Sequence, residues 1–219
     1  MSIPAKHEYL EELCTRLAQR WPDNRTVNIV CHGHSVPAGY AATPWVDTFH
    51  AYPHLVHRVL KQRFPFAVIN MIVTAIGGEN SRTGAARFES EVLCHRPDLI
   101  ILDYGLNDRG IGLAEAEKAW RSMIEKTLAA GVKMILMTPS WDQSWFRKDE
   151  SWQALEAHAA QERALAAEYG VALGDSFAAY EKYIADGGDL QNLLSHVNHP
   201  SPIGHELIAR EITGWFVAK

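Results

Sequence analysis

Five apolar runs rich in β-branched residues recur along the chain, and the stretches between them have helical spacing of apolar residues. Short runs of this kind are typical of parallel strands that are buried on both faces. The alternation predicts an α/β fold in which an open parallel sheet carries helices on both faces, joined by right-handed crossovers. The predicted strands cover residues 27–31, 66–73, 99–104, 132–138 and, more weakly, 171–173. The predicted helices cover residues 6–20, 46–63, 82–95, 113–130, 150–169 and 203–217.

Gly131 and Gly170 lie where two of these helices should end before the next strand. No internal repeat, low-complexity tract or linker interrupts the pattern. A length of 219 residues suits one domain, which we expect to span residues 1–219.

Composition excludes several classes of partner. The net charge is −5 and the 21 basic residues are scattered, so we expect no nucleic-acid partner and no anionic membrane surface. No signal-peptide core and no run of about 18 apolar residues is present, which predicts a cytoplasmic protein without a membrane span. Cys14, Cys31 and Cys94 fit neither a zinc knuckle nor a disulfide framework, and we expect reduced, buried thiols. The sequence leaves the oligomeric state open.

The loops that follow the first three strands carry the most reactive residue types. They read CHGHSVPAGY, AIGGENSRTG and YGLNDRG. Ligands of open α/β sheets bind outside the carboxyl ends of the strands, where the strand order reverses. In a sheet ordered 2-1-3-4-5 the first three strands are neighbours, so these loops would converge.

Together the loops offer the groups that acyl transfer requires, namely a nucleophile, a base and donors for the developing oxyanion. Ser35 supplies a hydroxyl, while the Ser35 and Gly78 backbone N–H groups and the Asn107 side-chain amide supply three donors. His199, in a proline-bounded loop before the last helix, is the candidate base.

At these residues the sequence resembles the SGNH (GDSL-type) hydrolase superfamily, and the resemblance runs from Val27 to the last helix. It implies a three-layer α/β/α flavodoxin-like sandwich with a five-stranded parallel sheet ordered 2-1-3-4-5. It also implies esterase activity without a cofactor. The matching blocks are Gly33-His34-Ser35, Ile76-Gly77-Gly78-Glu79, Gly105-Leu106-Asn107-Asp108, and His199-Pro200 followed by Gly204-His205.

The resemblance also decides between two candidate serines. The nucleophile of the superfamily follows the first strand, as Ser35 does. The tripeptide Gly174-Asp175-Ser176 instead follows the fifth strand. We expect Asp175 or Ser176 to cap a helix that begins near Phe177.

Two positions depart from the superfamily pattern. His34 precedes the nucleophile where an aspartate is usual, and His196 stands where the triad has its aspartate. A carboxylate there would orient the histidine and stabilise the imidazolium. Three alternatives follow: a backbone carbonyl orients His199, Asp186 or Asp189 supplies the carboxylate, or the enzyme is weak or inactive.

The sequence thus predicts a serine esterase or deacylase that hydrolyses a short acyl ester, such as an acetyl group, on a sugar-like or other small molecule. A catalytically degenerate binding module on the same fold is the main alternative. A metal-dependent hydrolase that uses a cluster of four histidines is another alternative. No cysteine or carboxylate completes a metal site with these histidines, and we predict no metal ligand. Aromatic residues of the segment 140–152 either line the pocket or pack beneath their own loop. The four histidines considered above as metal ligands are His32, His34, His196 and His199.

Overall fold

A computed structural model describes residues 2–217, in which five parallel strands form one sheet of order β2-β1-β3-β4-β5. The register pairs Thr26 with Val68 between β1 and β2, and Ile29 with Leu99 between β1 and β3. The predicted fold class and strand order are therefore confirmed. The strands are β1 (Thr26–Gly33), β2 (Val68–Val73), β3 (Leu99–Asp103), β4 (Lys133–Met137) and β5 (Ala172–Gly174).

Helices cover both faces of the sheet. Within residues 2–217 no helix is both long and apolar enough to cross a lipid bilayer. The α-helices are α1 (Lys6–Tyr9), α2 (Glu11–Ala18), α3 (Ser35–Ala38), α4 (Tyr52–Arg63), α5 (Ser81–Ala86), α6 (Phe88–Glu91), α7 (Gly105–Asp108), α8 (Leu113–Ala129), α9 (Ser144–Arg147), α10 (Glu150–Tyr169), α11 (Ser176–Ala185) and α12 (Pro202–Thr213). Short 3₁₀ helices cover Thr48–His50, Leu93–His95 and Leu190–Leu193.

Successive strand residues face opposite helical layers, which explains why the strands are mostly apolar. Val30 and Ile100 are buried in the core cluster that contains Trp120 of α8. Ile29 belongs to the cluster on the other face, which contains Ile208 of α12. Both faces of the central strands exclude water, and polar residues such as Asn28 and Asn70 lie toward the edge of the sheet or, like Asp103, at a strand end.

Two predicted helices are shorter or more broken than the sequence pattern indicated. The stretch 46–63 is α-helical only from Tyr52, after a 3₁₀ turn at Thr48–His50, because Pro53 in the first turn has no backbone N–H to continue a preceding α-helix. The stretch 82–95 divides into α5, α6 and a 3₁₀ turn. Gly84 lies in α5 beneath the Tyr104 ring, where a Cβ would come within 2.2 Å of the Tyr104 hydroxyl.

The chain ends show similar differences. The stretch 6–20 forms α1 and α2, with a break at Leu10, and the last helix ends at Thr213, before Gly214. Cys14 and Cys31 are buried free thiols as expected, whereas Cys94 is exposed, which corrects that part of the prediction. Cys94 lies in a surface 3₁₀ turn rather than on a helix face.

Candidate active site

Ser35 occupies the first position of α3, immediately after β1. His34 caps this short helix, because its Nδ1 accepts the Val36 backbone N–H at 3.2 Å. Its Nε2 lies 3.4 Å from Asp103 Oδ1 without forming a hydrogen bond. Gly39 ends the turn at φ +90°, a backbone conformation that favours glycine. The cap and the glycine hold the serine at the carboxyl edge of the sheet.

The structure brings Ser35 and His199 together across 164 positions of sequence. His199 Nε2 lies 3.0 Å from Ser35 Oγ, and both residues are buried, with 7% and 5% of their surface exposed. His199 Nδ1 donates to the Ala41 carbonyl at 2.8 Å. Because a carbonyl can only accept, Nδ1 carries the proton and Nε2 is free to accept the serine hydroxyl proton.

The environment of His199 favours its neutral form. Burial lowers the pKa of His199 below the ordinary 6.5, and the hydrogen bond to Ala41 offsets this in part. His34 and His196 lower the pKa further through their charge. The imidazole therefore remains a competent base at lower pH than a solvent-exposed histidine.

The predicted oxyanion donors lie on the loops that follow β1, β2 and β3. In the described part of the chain, no group accepts a hydrogen bond from the backbone N–H of Ser35 or Gly78. The Asn107 amide donates one N–H to the Glu79 carbonyl at 2.9 Å, which leaves its second N–H available. Asn107 is thus tied to the residue that follows Gly78, so two of the predicted donors share one support.

A buried polar network behind these donors was not predicted. The Glu79 carboxylate accepts from Arg87 Nε at 2.8 Å and from the Tyr104 hydroxyl at 2.9 Å. Tyr104 also contacts His32 Nε2 at 3.0 Å, and Thr74 lies 2.8 Å from His32 Nδ1. Burial lowers the pKa of His32 to about 4, so the ring is neutral. Since 25 positions separate Glu79 from Tyr104, no local spacing in the sequence indicates this pairing.

Asp108 connects the loop after β3 to α5. Its carboxylate accepts the Ser81 backbone N–H and the Trp120 indole N–H, each at 2.7 Å. Asp108 is fully buried, and burial raises its pKa. The Asn-Asp pair therefore has two structural roles, since Asn107 binds the Glu79 carbonyl while Asp108 binds the N-terminus of α5.

The alternatives for orienting His199 have different outcomes. The Ala41 carbonyl occupies Nδ1, as the first alternative required. Asp186 pairs with Lys182 at 2.7 Å, and Asp189 caps a 3₁₀ helix through the Gln191 N–H, so neither carboxylate contacts His199. His196 is exposed and its ring makes no hydrogen bond within the described residues.

The tripeptide Gly174-Asp175-Ser176 forms the end of β5 and the start of α11. Asp175 is the capping residue, because its carboxylate accepts the Ala178 N–H at 3.1 Å. It also pairs with Arg163. Ser176 is 1% exposed and its hydroxyl has no partner in the described part of the chain, so it lies apart from His199.

The two remaining predictions concern metal and aromatic residues. Among residues 2–217, no three histidine, cysteine, aspartate or glutamate side chains converge as metal ligands. Trp141 and Trp152 are buried and pack against Phe177, so this part of segment 140–152 packs beneath its own loop. Phe146 is 48% exposed and faces a groove.

That groove lies beside the loop that carries His199. The Ser195 N–H donates to the His199 carbonyl at 3.0 Å, and the Gln143 N–H donates to the Val197 carbonyl at 3.0 Å. The groove therefore connects the loop after β4 with the histidine loop. It has a volume of about 360 Å³ and is lined by Gln143, Phe146, Gln191, Leu194, Ser195 and His196.

Comparison with known proteins identifies the family of this chain. Residues 31–207 match the GDSL-like lipase/acylhydrolase family. The chain belongs to this family. GDSL-like membership, which the sequence resemblance predicted, makes the protein a carboxylic ester hydrolase.

Two relatives of this GDSL-like hydrolase are esterases. An acetylxylan esterase of Geobacillus stearothermophilus is 25% identical over 190 residues, which cover 81% of this chain and 85% of that protein. Esterase TesA of Pseudomonas aeruginosa is 28% identical over 95 residues, which cover 42% of this chain and 46% of that protein.

Solved structures of other hydrolases share the fold of the GDSL-like chain. The crystal structure of the acetylxylan esterase has a TM-score of 0.75 at 22% identity and covers 88% of this chain and 95% of its own. An α/β hydrolase from the metagenome of Lake Arreo has a TM-score of 0.75 at 22% identity, covering 87% and 94%. Catalytic mutants of the acetylxylan esterase replace a serine, an aspartate or a histidine by alanine, and that aspartate lies three positions before that histidine.

Proposed function

We propose that the protein is a serine esterase that hydrolyses a short-chain acyl ester, of the acetyl type, on a small sugar-like molecule. The observation that carries the proposal is the 3.0 Å contact between Ser35 Oγ and the unprotonated Nε2 of His199. A hydroxyl is a weak nucleophile at neutral pH, and an adjacent base is what makes it reactive.

In the first step His199 Nε2 takes the Ser35 hydroxyl proton as Oγ attacks the ester carbonyl carbon. The carbonyl π electrons move to oxygen, and this oxyanion accepts from the Ser35 N–H, the Gly78 N–H and the Asn107 amide. Each such donor lowers the barrier by on the order of 3 kcal/mol. The imidazolium then gives its proton to the alcohol oxygen as the carbon–oxygen bond to the alcohol breaks, leaving Ser35 acylated.

In the second step water repeats the sequence. His199 takes a proton from water, the resulting hydroxide attacks the acyl carbon, and the oxyanion forms again on the same donors. Collapse expels Ser35 Oγ, which recovers its proton from the imidazolium, and the carboxylic acid leaves. The Ala41 carbonyl keeps the His199 ring oriented throughout, so the proposed machinery is a dyad rather than a triad.

Two features support a sugar-like alcohol. The relative with the longer match is an acetylxylan esterase. The groove beside the histidine loop is lined by two glutamine amides, an imidazole, a serine and an exposed phenyl ring, without a carboxylate or a cation. Amides that can both donate and accept suit neutral hydroxyl groups, and an aromatic face suits the apolar face of a sugar ring.

The proposal is tested by comparing two serine variants. Ser35→Ala removes the nucleophile, so we expect hydrolysis of p-nitrophenyl acetate and labelling by a fluorophosphonate to fall to background. Ser176→Ala is the matched control, since Ser176 follows another strand and does not contact His199; it should retain both. Activity and labelling are measured on the same preparations.

An active Ser35→Ala protein would end the proposal. A wild-type protein that is stabilised by acetylated xylo-oligosaccharide, yet neither turns it over nor labels, would instead identify a binding module that has lost catalysis.

A further inference from the structure

Tyr40 stands between the two halves of the proposed machinery. Its ring centroid lies 5.9 Å from that of the His199 imidazole. A Cβ placed on Gly77 would lie 3.0 Å from the Tyr40 ring, so the ring also presses against the loop that carries Gly78. The Tyr40 N–H donates to the Ser35 carbonyl at 3.0 Å, which fixes the residue to the nucleophile turn.

This placement closes the site on the β2 side. Tyr40 follows β1, Gly77 follows β2, and β2 is the edge strand next to β1. Glycine at position 77 lets the ring approach this closely, because an added methyl group would lie 3.0 Å from two ring carbons and 3.1 Å from the hydroxyl oxygen, and the ring would have to shift. The half-buried ring therefore forms a wall from the base to the loop that carries an oxyanion donor.

The opposite side of the site is open. The groove lined by Gln143 and Phe146 follows β4, which lies beyond β3 in the sheet. Three of its residues, Gln143, Gln191 and His196, are exposed, and their side chains have no hydrogen-bond partner among residues 2–217. A ligand that enters there meets polar groups that are free to bind it.

The order of the chemical steps indicates which side of the site receives the acyl chain and which receives the alcohol. An acyl carbon bonded to Ser35 Oγ carries an oxyanion, an acyl chain and an alcohol oxygen. The oxyanion position is set by its donors, so the acyl chain and the alcohol must extend in different directions. The alcohol leaves first and needs the open side, whereas the acyl chain stays on Ser35 and can occupy a closed end.

Resting on the proposed function, we propose that Tyr40 is a specificity-determining residue that forms the end wall of the acyl pocket and restricts the enzyme to acyl groups of about acetyl size. Tyr40 takes no part in proton transfer. Its ring sets the acyl length by occupying the space into which a longer chain would extend.

The test is the acyl-length profile of two variants. For wild type and for Tyr40→Phe, the matched control with the same ring, kcat/KM should fall steeply from p-nitrophenyl acetate to butyrate to hexanoate. In Tyr40→Ala the ratio of hexanoate to acetate kcat/KM should rise about tenfold or more, since one methylene against a pocket wall changes this ratio by about tenfold or more. The ratio is independent of the fraction of active protein, and Tyr40→Leu gives a second, less disruptive enlargement.

A double-mutant cycle with Gly77→Ala tests the contact itself. In the wild-type background the added methyl group meets the Tyr40 ring, so acetate kcat/KM should fall about tenfold, within the range of coupling usual for residues in contact. With Tyr40→Ala the methyl group has space, and the same substitution should cost less than about twofold.

The inference is overturned if the acyl-length profile is unchanged in both Tyr40→Ala and Tyr40→Leu. It is equally overturned if these variants instead change the preference for the size of the alcohol, measured on acetate esters of increasing alcohol bulk. Ser35→Ala in the same assays separates the two proposals. Activity that requires Ser35 with an unaltered profile contradicts the role of Tyr40 alone, whereas activity that survives Ser35→Ala contradicts the esterase mechanism.

Discussion

Ala41 contributes a neutral carbonyl dipole where a triad has a full negative charge. The carbonyl orients the His199 ring as a carboxylate does, because it accepts the Nδ1 proton and leaves Nε2 toward Ser35. It stabilises the imidazolium less, since a carbonyl dipole lacks the full negative charge with which a carboxylate favours the protonated ring. His34, the second departure from the superfamily pattern, can do what the usual aspartate would do. As a helix cap it accepts the Val36 N–H through Nδ1, which an aspartate oxygen could equally do.

The lowered pKa of His199 predicts the acid limb of the pH profile. The proposed mechanism requires neutral His199, and burial stabilises that form, so kcat/KM for p-nitrophenyl acetate should stay high as pH falls and decline only below the ordinary histidine value of 6.5. Substituting His196→Asp places a carboxylate where the related esterase has one. We expect the limb to move up by about one pH unit, because a nearby opposite charge favours the imidazolium.

His196→Asn is the control for this prediction and should leave the rate near its wild-type value, since the exposed ring makes no hydrogen bond in the described part of the chain. Its acid limb should move up less than that of His196→Asp, because the substitution removes only the small lowering of the His199 pKa that His196 causes. A loss as large as that of His199→Asn would contradict the dyad and give His196 a chemical role.

At the scale of elements, the loops after β2 and β3 support each other rather than each holding its own donor. Asn107 holds the Glu79 carbonyl, and Asp108 holds the first turn of α5 through the Ser81 N–H. On its other side, α7 packs closely on α10, because Gly105 has no Cβ, which would lie 2.1 Å from Glu162 Oε1. The proposed oxyanion donors are thereby fixed before substrate arrives, which is the condition for effective electrostatic stabilisation.

Asp108→Ala tests this support. It leaves the buried Ser81 N–H and Trp120 indole N–H without an acceptor, and each such group costs about 1–3 kcal/mol. We expect the free energy of unfolding to fall by about 2–5 kcal/mol in urea denaturation. We also expect kcat to fall, because the loop that carries Gly78 loses one of its hydrogen bonds to the loop after β3.

Asp108→Asn keeps one accepting oxygen and should lose less stability than the alanine variant. Equal stability of wild type and Asp108→Ala would show that solvent or another group replaces the carboxylate, and that the support lies elsewhere.

At the scale of the whole molecule, several polar side chains are buried without a hydrogen-bond partner in the described part of the chain. Glu162 of α10 is the extreme case, being fully buried with neither carboxyl oxygen hydrogen-bonded in the described part of the chain. Burial raises its pKa well above 4.5, and the charges of Asp108, Asp103 and Asp175 raise it further, while Arg163 lowers it. Glu162 is therefore protonated in the folded protein at pH values where the unfolded chain carries it ionised.

This difference predicts how stability depends on pH. A carboxyl whose folded pKa is raised makes no unfavourable contribution below its unfolded value, and it destabilises the fold progressively as pH rises from about 4.5 toward the folded pKa. Glu162→Gln lacks this titrating group. The Tm of the variant minus the Tm of wild type should therefore increase as pH rises from about 5 to about 8. Glu156→Gln, at an exposed position of the same helix, is the control. A Tm difference that does not change with pH would contradict the assignment.

The alternation of apolar strands and helical stretches was enough to predict the α/β class, and four short sequence blocks nominated Ser35, Gly78, Asn107 and His199 as the catalytic groups. These features are local, because a strand buried on both faces must be apolar and a helix must repeat about every 3.6 residues. The group that orients His199 was left as one of three alternatives, and the Glu79 network and the Tyr40 wall were not predicted at all. Each depends on side chains or carbonyls that are distant in sequence, such as Ala41 and His199, which lie 158 positions apart. Every residue has a backbone carbonyl, so the sequence does not indicate which one will accept a hydrogen bond from a side chain. Only tertiary packing could decide that a carbonyl, and not a carboxylate, accepts the hydrogen bond from His199 Nδ1.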